Sequence, residues 1–174
     1  MSASTSTPDR RKSDQDWLTL ARAAAGRGGG TAEQELPREL LAFELAGSPY
    51  AIPVERVREI VREREVTPMP RVPSSVLGVV ALRGEIIQVV DLRMRLDLET
   101  PETTRRSRVI VLHGDDKRVT GVLVDAVQEV LRVPEDQISV SSSAEIGVVS
   151  ELCTRGEEFV SIIDMDRVLD FDAD

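Results

Sequence analysis

Only a few side chains in this sequence are of types that do chemistry. There is one histidine, His113, and one cysteine, Cys153. His113 closes an apolar run beside a turn, with no second general base near it in sequence, and reads as a rim histidine. Cys153 lies between Leu152 and Thr154 without a base to activate it, so a buried structural thiol is expected rather than a nucleophile. One His and one Cys fall short of the usual zinc ligand count. Asp164, Asp166, Asp170, Asp172 and Asp174 crowd the C-terminus, but no glycine-bearing calcium-loop pattern accompanies them, and Asp115-Asp116 beside Lys117 reads as a solvated turn. Gly28-Gly29-Gly30 has neither a preceding strand nor a lysine, so it is no phosphate loop. No catalytic constellation, metal site or cofactor is therefore expected. The informative charges are Arg83, in Leu82-Arg83-Gly84 between two apolar runs, and Glu59, in Val57-Arg58-Glu59-Ile60. A charge so flanked is costly unless exposed or paired, and a guanidinium suits a carboxylate partner. Arg83 reads either as an ordinary hairpin tip or as half of a pair with Glu59.

The elements that must position these residues are strands. Aromatic residues make up only 3% of the chain, so a core must come from Val, Ile and Leu, which pack well on pleated surfaces. Leu41 to Leu45 and Tyr50 to Ile52 read as a hairpin about Gly47-Ser48-Pro49, although Leu40 and Ala42 do not alternate cleanly with polar residues. Val54 to Ile60 reads as a helical turn leading into a strand. Val76 to Leu82 and Glu85 to Val90 form a hairpin about Arg83-Gly84. Arg108 to His113 and Val119 to Val124 form another, and Asp125 to Leu131 a further strand. Pro134 to Ile146 reads as a Ser-rich loop. Leu152 to Arg155 and Phe159 to Ile163 make the last hairpin, and Asp164 to Leu169 a closing helix capped by Asp164. Short strands at this spacing point to barrels or a sandwich, and the lack of crossover helices argues against a parallel sheet.

The N-terminal region differs in character. Residues 1–12 are Ser/Thr-rich and then basic, which reads as a disordered tail. Ser13 to Ala25 has helical periodicity, with Trp17, Leu20, Ala21 and Ala24 on one face, and Gly28-Gly29-Gly30 follows as a flexible linker. The expected division is 1–38 as tail, short amphipathic helix (about 13–25) and linker, then 39–174 as the folded domain. Trp17 and Leu20 are the residues such a helix would offer to a partner groove.

The net charge of -9 sharpens what is excluded. Residues 1–38 hold six basic and five acidic side chains, so the remainder holds 16 basic against 26 acidic. That balance opposes binding to nucleic acid or docking on anionic lipid. There is no secretory h-region and no apolar run near the ~20 residues of a membrane span. The lone cysteine fits a reducing compartment. A cytoplasmic protein is the expectation.

The segment from Gly78 to Arg93, with its Leu-Arg-Gly turn and terminal Val90-Asp91-Leu92-Arg93, resembles the signature of the CheW-like domain family, the coupling proteins of bacterial chemosensory arrays. Phe43-Glu44-Leu45 with Tyr50-Ala51-Ile52 resembles the family's first hairpin. Val57-Arg58-Glu59-Ile60 is similar to its Val-x-Glu-Ile segment, and Gly121 to Val127 to its Gly-x-x-Val-Asp-x-Val. The likeness runs from about Leu40 to Leu169. It implies a mostly β fold of two small five-stranded SH3-like β-barrels packed side by side, with short helices. It implies a non-catalytic adaptor coupling methyl-accepting chemoreceptor tips to the regulatory domain of a CheA-type histidine kinase, at membrane-associated arrays but without insertion. Val57, Glu59 and Arg83 are the receptor-contacting residues so implied, Glu59 and Arg83 as an ion pair. Ala81 departs from the family's usual Asn before Leu-Arg-Gly. The alternative is the same scaffold in a different chemosensory pathway, docking an extra partner through its N-terminal helix.

Overall fold

The computed structural model describes residues 36–114, 119–142 and 147–171. The expected helix over 13–25, with Trp17 and Leu20, lies outside the described residues. Eleven strands are described: β1 Arg38–Leu45, β2 Ser48–Pro53, β3 Val57–Arg62, β4 Val76–Leu82, β5 Glu85–Asp91, β6 Arg108–Leu112, β7 Thr120–Val124, β8 Ala126–Val133, β9 Ile138–Val140, β10 Val149–Arg155 and β11 Glu158–Ile163. Two short helices, α1 Leu92–Arg95 and α2 Met165–Leu169, end β5 and β11 respectively.

The strands form two mixed sheets, in the orders β8-β1-β2-β11-β10-β9 and β3-β6-β7-β5-β4. The fold is thus mostly β and built from two small sheets, as the resemblance implies, with six strands in the first sheet where five were expected. The chain begins in the first sheet, builds the second from β3 to β7, and returns to complete the first. Two details correct the sequence reading. Each sheet contains one parallel pair, β2 with β11 and β5 with β7. Their long connections run through other strands, so no crossover helix is needed. The segment expected to be a loop after Pro134 folds instead into a 3-10 turn, Glu135–Gln137, and the short edge strand β9. Two or three apolar residues among serines carry too little periodicity to show it.

The second sheet closes on itself. Just beyond β3, Thr67 exchanges two main-chain hydrogen bonds of 2.9 Å with Val79 of β4, joining the two edges. Gly78 permits this. Its φ is +142°, and a Cβ there would stand 2.1 Å from the Thr67 carbonyl oxygen. In the first sheet, Arg155 of β10 reaches Gln128 and Glu129 of β8, while Arg38 of β1 reaches Glu135 and Glu151.

Three cores explain the unbroken apolar runs. Leu40, Ala51, Val133, Cys153, Val160 and Ile162 fill the first sheet, and Leu82, Ile87, Val89, Val109, Val111 and Leu123 the second. The largest core lies between the sheets, with Leu41, Phe43, Leu45 and Ile52 from one and Val90, Ile110, Leu112, Val122 and Val124 from the other. Successive side chains of a strand face opposite ways. In β6, therefore, Val109 and Val111 enter their own barrel while Ile110 and Leu112 enter the shared core. Both faces are buried, so clean polar–apolar alternation is lost.

Helix α2 starts as expected: Asp164 Oδ1 accepts from the Asp166 and Arg167 main-chain N–H groups at 3.0 and 3.3 Å. Helix α1 holds it from the other side. Arg95 donates to the Val168 and Asp170 carbonyls at 2.7 and 2.6 Å, and its guanidinium lies 5.2 Å from the Phe171 ring centroid.

Candidate functional site

The β4–β5 hairpin turns in two residues. Leu82 pairs with Glu85, and both central residues have positive φ: Arg83 at 51° and Gly84 at 82°. Such turns match the right-handed twist of the flanking strands. Glycine takes this conformation freely, but arginine does so at a cost. The reward is position: the turn carries the Arg83 guanidinium to the tip, where it is 76% exposed.

Glu59 on β3 meets it. Arg83 Nη2 lies 3.1 Å from Glu59 Oε2, and the Glu59 side chain is only 19% exposed. The two halves of the pair are unequal. A mostly buried carboxylate requires a partner, whereas an exposed guanidinium does not. The pair therefore satisfies Glu59 and fixes Arg83 in one direction. Given the exposure of Arg83, its contribution to stability stays within about 1 kcal/mol.

A second ion pair stands beside it. Arg58 Nη2 donates to Glu85 Oε2 at 2.5 Å, and this bond holds the Arg58 guanidinium above its usual pKa. Arg58 and Glu59 are consecutive, and on a regular strand their side chains would diverge. The register between β3 and β6 slips between Val57, opposite Leu112, and Glu59, opposite Val111. That bulge makes Arg58 the extra residue and re-aims the strand's side chains. Both then reach the same hairpin, with charges crossed: Arg58 to Glu85 and Glu59 to Arg83.

Val57 begins the same strand, half-buried and packed against the shared core. Ile60 and Ile86 are exposed large apolar residues on the two elements that form the pairs, Ile86 at 75%. Ala81 lies opposite Ile86 and is exposed. The structure thus brings Glu59 and Arg83 together, with Val57 on the strand that carries Glu59.

A third charge cluster, unanticipated from the residues alone, lies buried where the sheets meet. Arg93 Nε and Nη2 donate to the two carboxylate oxygens of Asp91 at 3.0 and 2.8 Å. Its Nη1 donates to Asp125 Oδ1 at 2.7 Å and to the Pro101 carbonyl at 2.8 Å. The Arg93 and Asp91 side chains are 4% and 5% exposed. Asp125 Oδ2 accepts from the Ala46 N–H at 2.7 Å, in the β1–β2 turn. Asp91 also caps α1 through the Arg93 main-chain N–H. These carboxylates, Asp91 above all, hold the Arg93 pKa up. The available signal was a pair of charges, in Asp91-Leu92-Arg93 and Val124-Asp125-Ala126, each ending a buried apolar strand.

The candidate chemical groups stand apart. Cys153 is fully buried in the small core of the first sheet, and desolvation pushes its thiol up, away from the reactive thiolate. His113 is exposed at the end of β6, its main-chain N–H donating to the Arg56 carbonyl at 2.9 Å.

The family model described as "CheW-like domain" matches residues 39–173. The chain belongs to the CheW-like domain family. It is 41% identical over 101 residues to "Chemotaxis protein CheW" of Rhizobium meliloti (strain 1021), a match spanning 58% of this chain and 64% of that relative. It is 33% identical over 147 residues to "Chemotaxis protein CheW" of Bacillus subtilis (strain 168), spanning 80% and 92% respectively. Among solved structures, the scaffolding protein TtCheW from Thermoanaerobacter tengcongensis superposes with a TM-score of 0.74 at 25% identity, covering 80% of this chain and 97% of that one. Membership places the chain among the coupling adaptors of chemotaxis rather than among enzymes.

Proposed function

We propose that this chain holds a CheA-type histidine kinase against the cytoplasmic tips of methyl-accepting chemoreceptors, with Val57, Glu59 and Arg83 at the receptor contact. The single observation that carries the reading is the inequality of the Glu59–Arg83 pair. A mostly buried carboxylate fixes the direction of a guanidinium that is three-quarters exposed on a two-residue turn. An ordered, solvent-facing guanidinium loses little conformational freedom when it meets a partner. The exposed Ile60 and Ile86 beside it supply apolar area for the same contact.

The kinase's regulatory domain is held at a different surface of the two-barrel domain. The adaptor transmits state by making contacts that differ between two arrangements of its partners, as coupling requires. It works in the cytoplasm at membrane-associated receptor arrays. No helix among the described residues is long and apolar enough to cross a membrane.

The test is a pair of calorimetric titrations with the full chain. One uses a soluble receptor-tip fragment, the other the isolated regulatory domain of the kinase. Saturable one-to-one binding to both is the expected result. Absence of binding to both, by protein shown to be folded, would reject the coupling role.

A further inference from the structure

Among the described residues, one cross-strand pair joins two arginines. Arg62 at the end of β3 lies directly opposite Arg108 at the start of β6. Like charges directly opposite one another across a strand pair are destabilising, whereas a carboxylate there would be favourable. Arg108 Nη1 donates to the Arg105 and Ser107 carbonyls at 2.8 and 2.7 Å, so its guanidinium is held in place by main chain alone. Neither Arg62 nor Arg105 has a carboxylate within ion-pair distance among the described residues.

The three arginines line one cleft of about 480 Å³, together with Glu63, Thr104 and Ser107. The loop before β6, which supplies Arg105, is internally braced. The Thr104 N–H donates to Ser107 Oγ at 2.8 Å, and the Arg106 N–H to Thr104 Oγ1 at 3.1 Å. Three guanidiniums against one carboxylate leave an excess of two positive charges, in a chain whose net charge is -9. The cleft also falls in the size range of small-molecule sites.

We propose that this cleft is a binding site for a small phosphate-bearing anion, with Arg62, Arg105 and Arg108 as its ligands. A phosphate group carries close to two negative charges at neutral pH and offers several acceptor oxygens, which matches the local excess and the guanidinium fork. The bound anion relieves the Arg62–Arg108 repulsion. The site is independent of the Glu59–Arg83 pair, so its fate does not bear on the coupling role.

The probe is inorganic pyrophosphate, titrated into the full chain and followed by amide chemical shifts and by the melting temperature. The expected result is saturable shifts at Arg62, Thr104, Ser107 and Arg108, and a melting temperature that rises with pyrophosphate. Arg62→Gln and Arg105→Gln, both at exposed positions, should each weaken binding by about tenfold or more. Without the anion, Arg62→Gln should melt at or above the parent temperature, because it removes a repulsion. Non-saturable shifts, or equal binding by the variants, would overturn the proposal. So would binding to phosphatidylglycerol vesicles without saturation by soluble pyrophosphate, since the ligand would then be a lipid surface.

Discussion

Arg93 Nη1 and Asp125 Oδ1 lie 2.7 Å apart across 32 residues of sequence, and that contact ties the end of β5 to the start of β8. β5 belongs to one sheet and β8 to the other. Asp91 holds the rest of the guanidinium, and Asp125 reaches on to the β1–β2 turn. One buried cation therefore links the two halves of the domain beside their shared apolar core.

Truncating that cation should be severe. Arg93→Ala leaves Asp91 buried without its partner, a situation that costs about 3–5 kcal/mol. Urea unfolding should show a loss of unfolding free energy of that size. A loss below about 1 kcal/mol would mean that the cluster is not stabilising in the way its burial implies.

Arg83→Glu tests the receptor contact. The fold should survive with a loss of about 1–3 kcal/mol, because Arg83 itself is largely exposed while the mostly buried Glu59 is left without its partner. Receptor-tip affinity should fall by about tenfold or more, as expected for a lost charge-assisted contact replaced by repulsion. Affinity for the kinase regulatory domain should be unchanged. Equal loss of both partners would indicate a general folding defect instead.

The two turn and strand glycines separate steric from conformational cost. At Gly78 a Cβ would meet the Thr67 carbonyl at 2.1 Å, whereas at Gly84 it would meet nothing within 4 Å. Gly84→Ala should cost about 1–2 kcal/mol through its left-handed backbone alone. Gly78→Ala should cost about 3 kcal/mol or more, from backbone strain plus the two closing hydrogen bonds. Thermal unfolding of the two variants side by side decides this. Equal losses would mean that barrel closure at Thr67 contributes nothing.

Alkaline pH should weaken the fold through Cys153. Its thiol pKa is raised in the native state by burial, so the native state retains a proton that the unfolded chain releases. The associated stability is fully present below the unfolded thiol value of about 8.5 and is lost as pH climbs towards the higher native value. Cys153→Ala should flatten the pH dependence of the urea midpoint just above pH ~8.5. Tyr50, also raised by burial, acts only at higher pH, above about 10. In the native state the thiol should react with a thiol reagent only as fast as the chain opens.

Much of the candidate site's geometry is legible in the sequence. Arg83 and Glu59 are charges set inside apolar segments, and such charges announce partners. Their pairing follows from the sequence only as a supposition, because 24 residues separate them and no local rule spans that distance. The companion pair Arg58–Glu85 was illegible. It depends on a bulge, and bulges arise from how two strands meet rather than from either strand's residues.

The sequence by itself determined the β character, the hairpin turns and the cap of α2. Those rest on β-branched composition, on glycine at positive φ and on an aspartate before a helix, all local preferences. It also carried the family signature in the residues from Gly78 to Arg93. Only the tertiary structure decided that Leu40 and Leu41 serve different cores, that β5 and β7 run parallel, and that Asp91, Arg93 and Asp125 share one buried site. Those outcomes follow from sheet closure and packing between distant segments, where burial on both faces erases the alternation from which strand orientation is otherwise read.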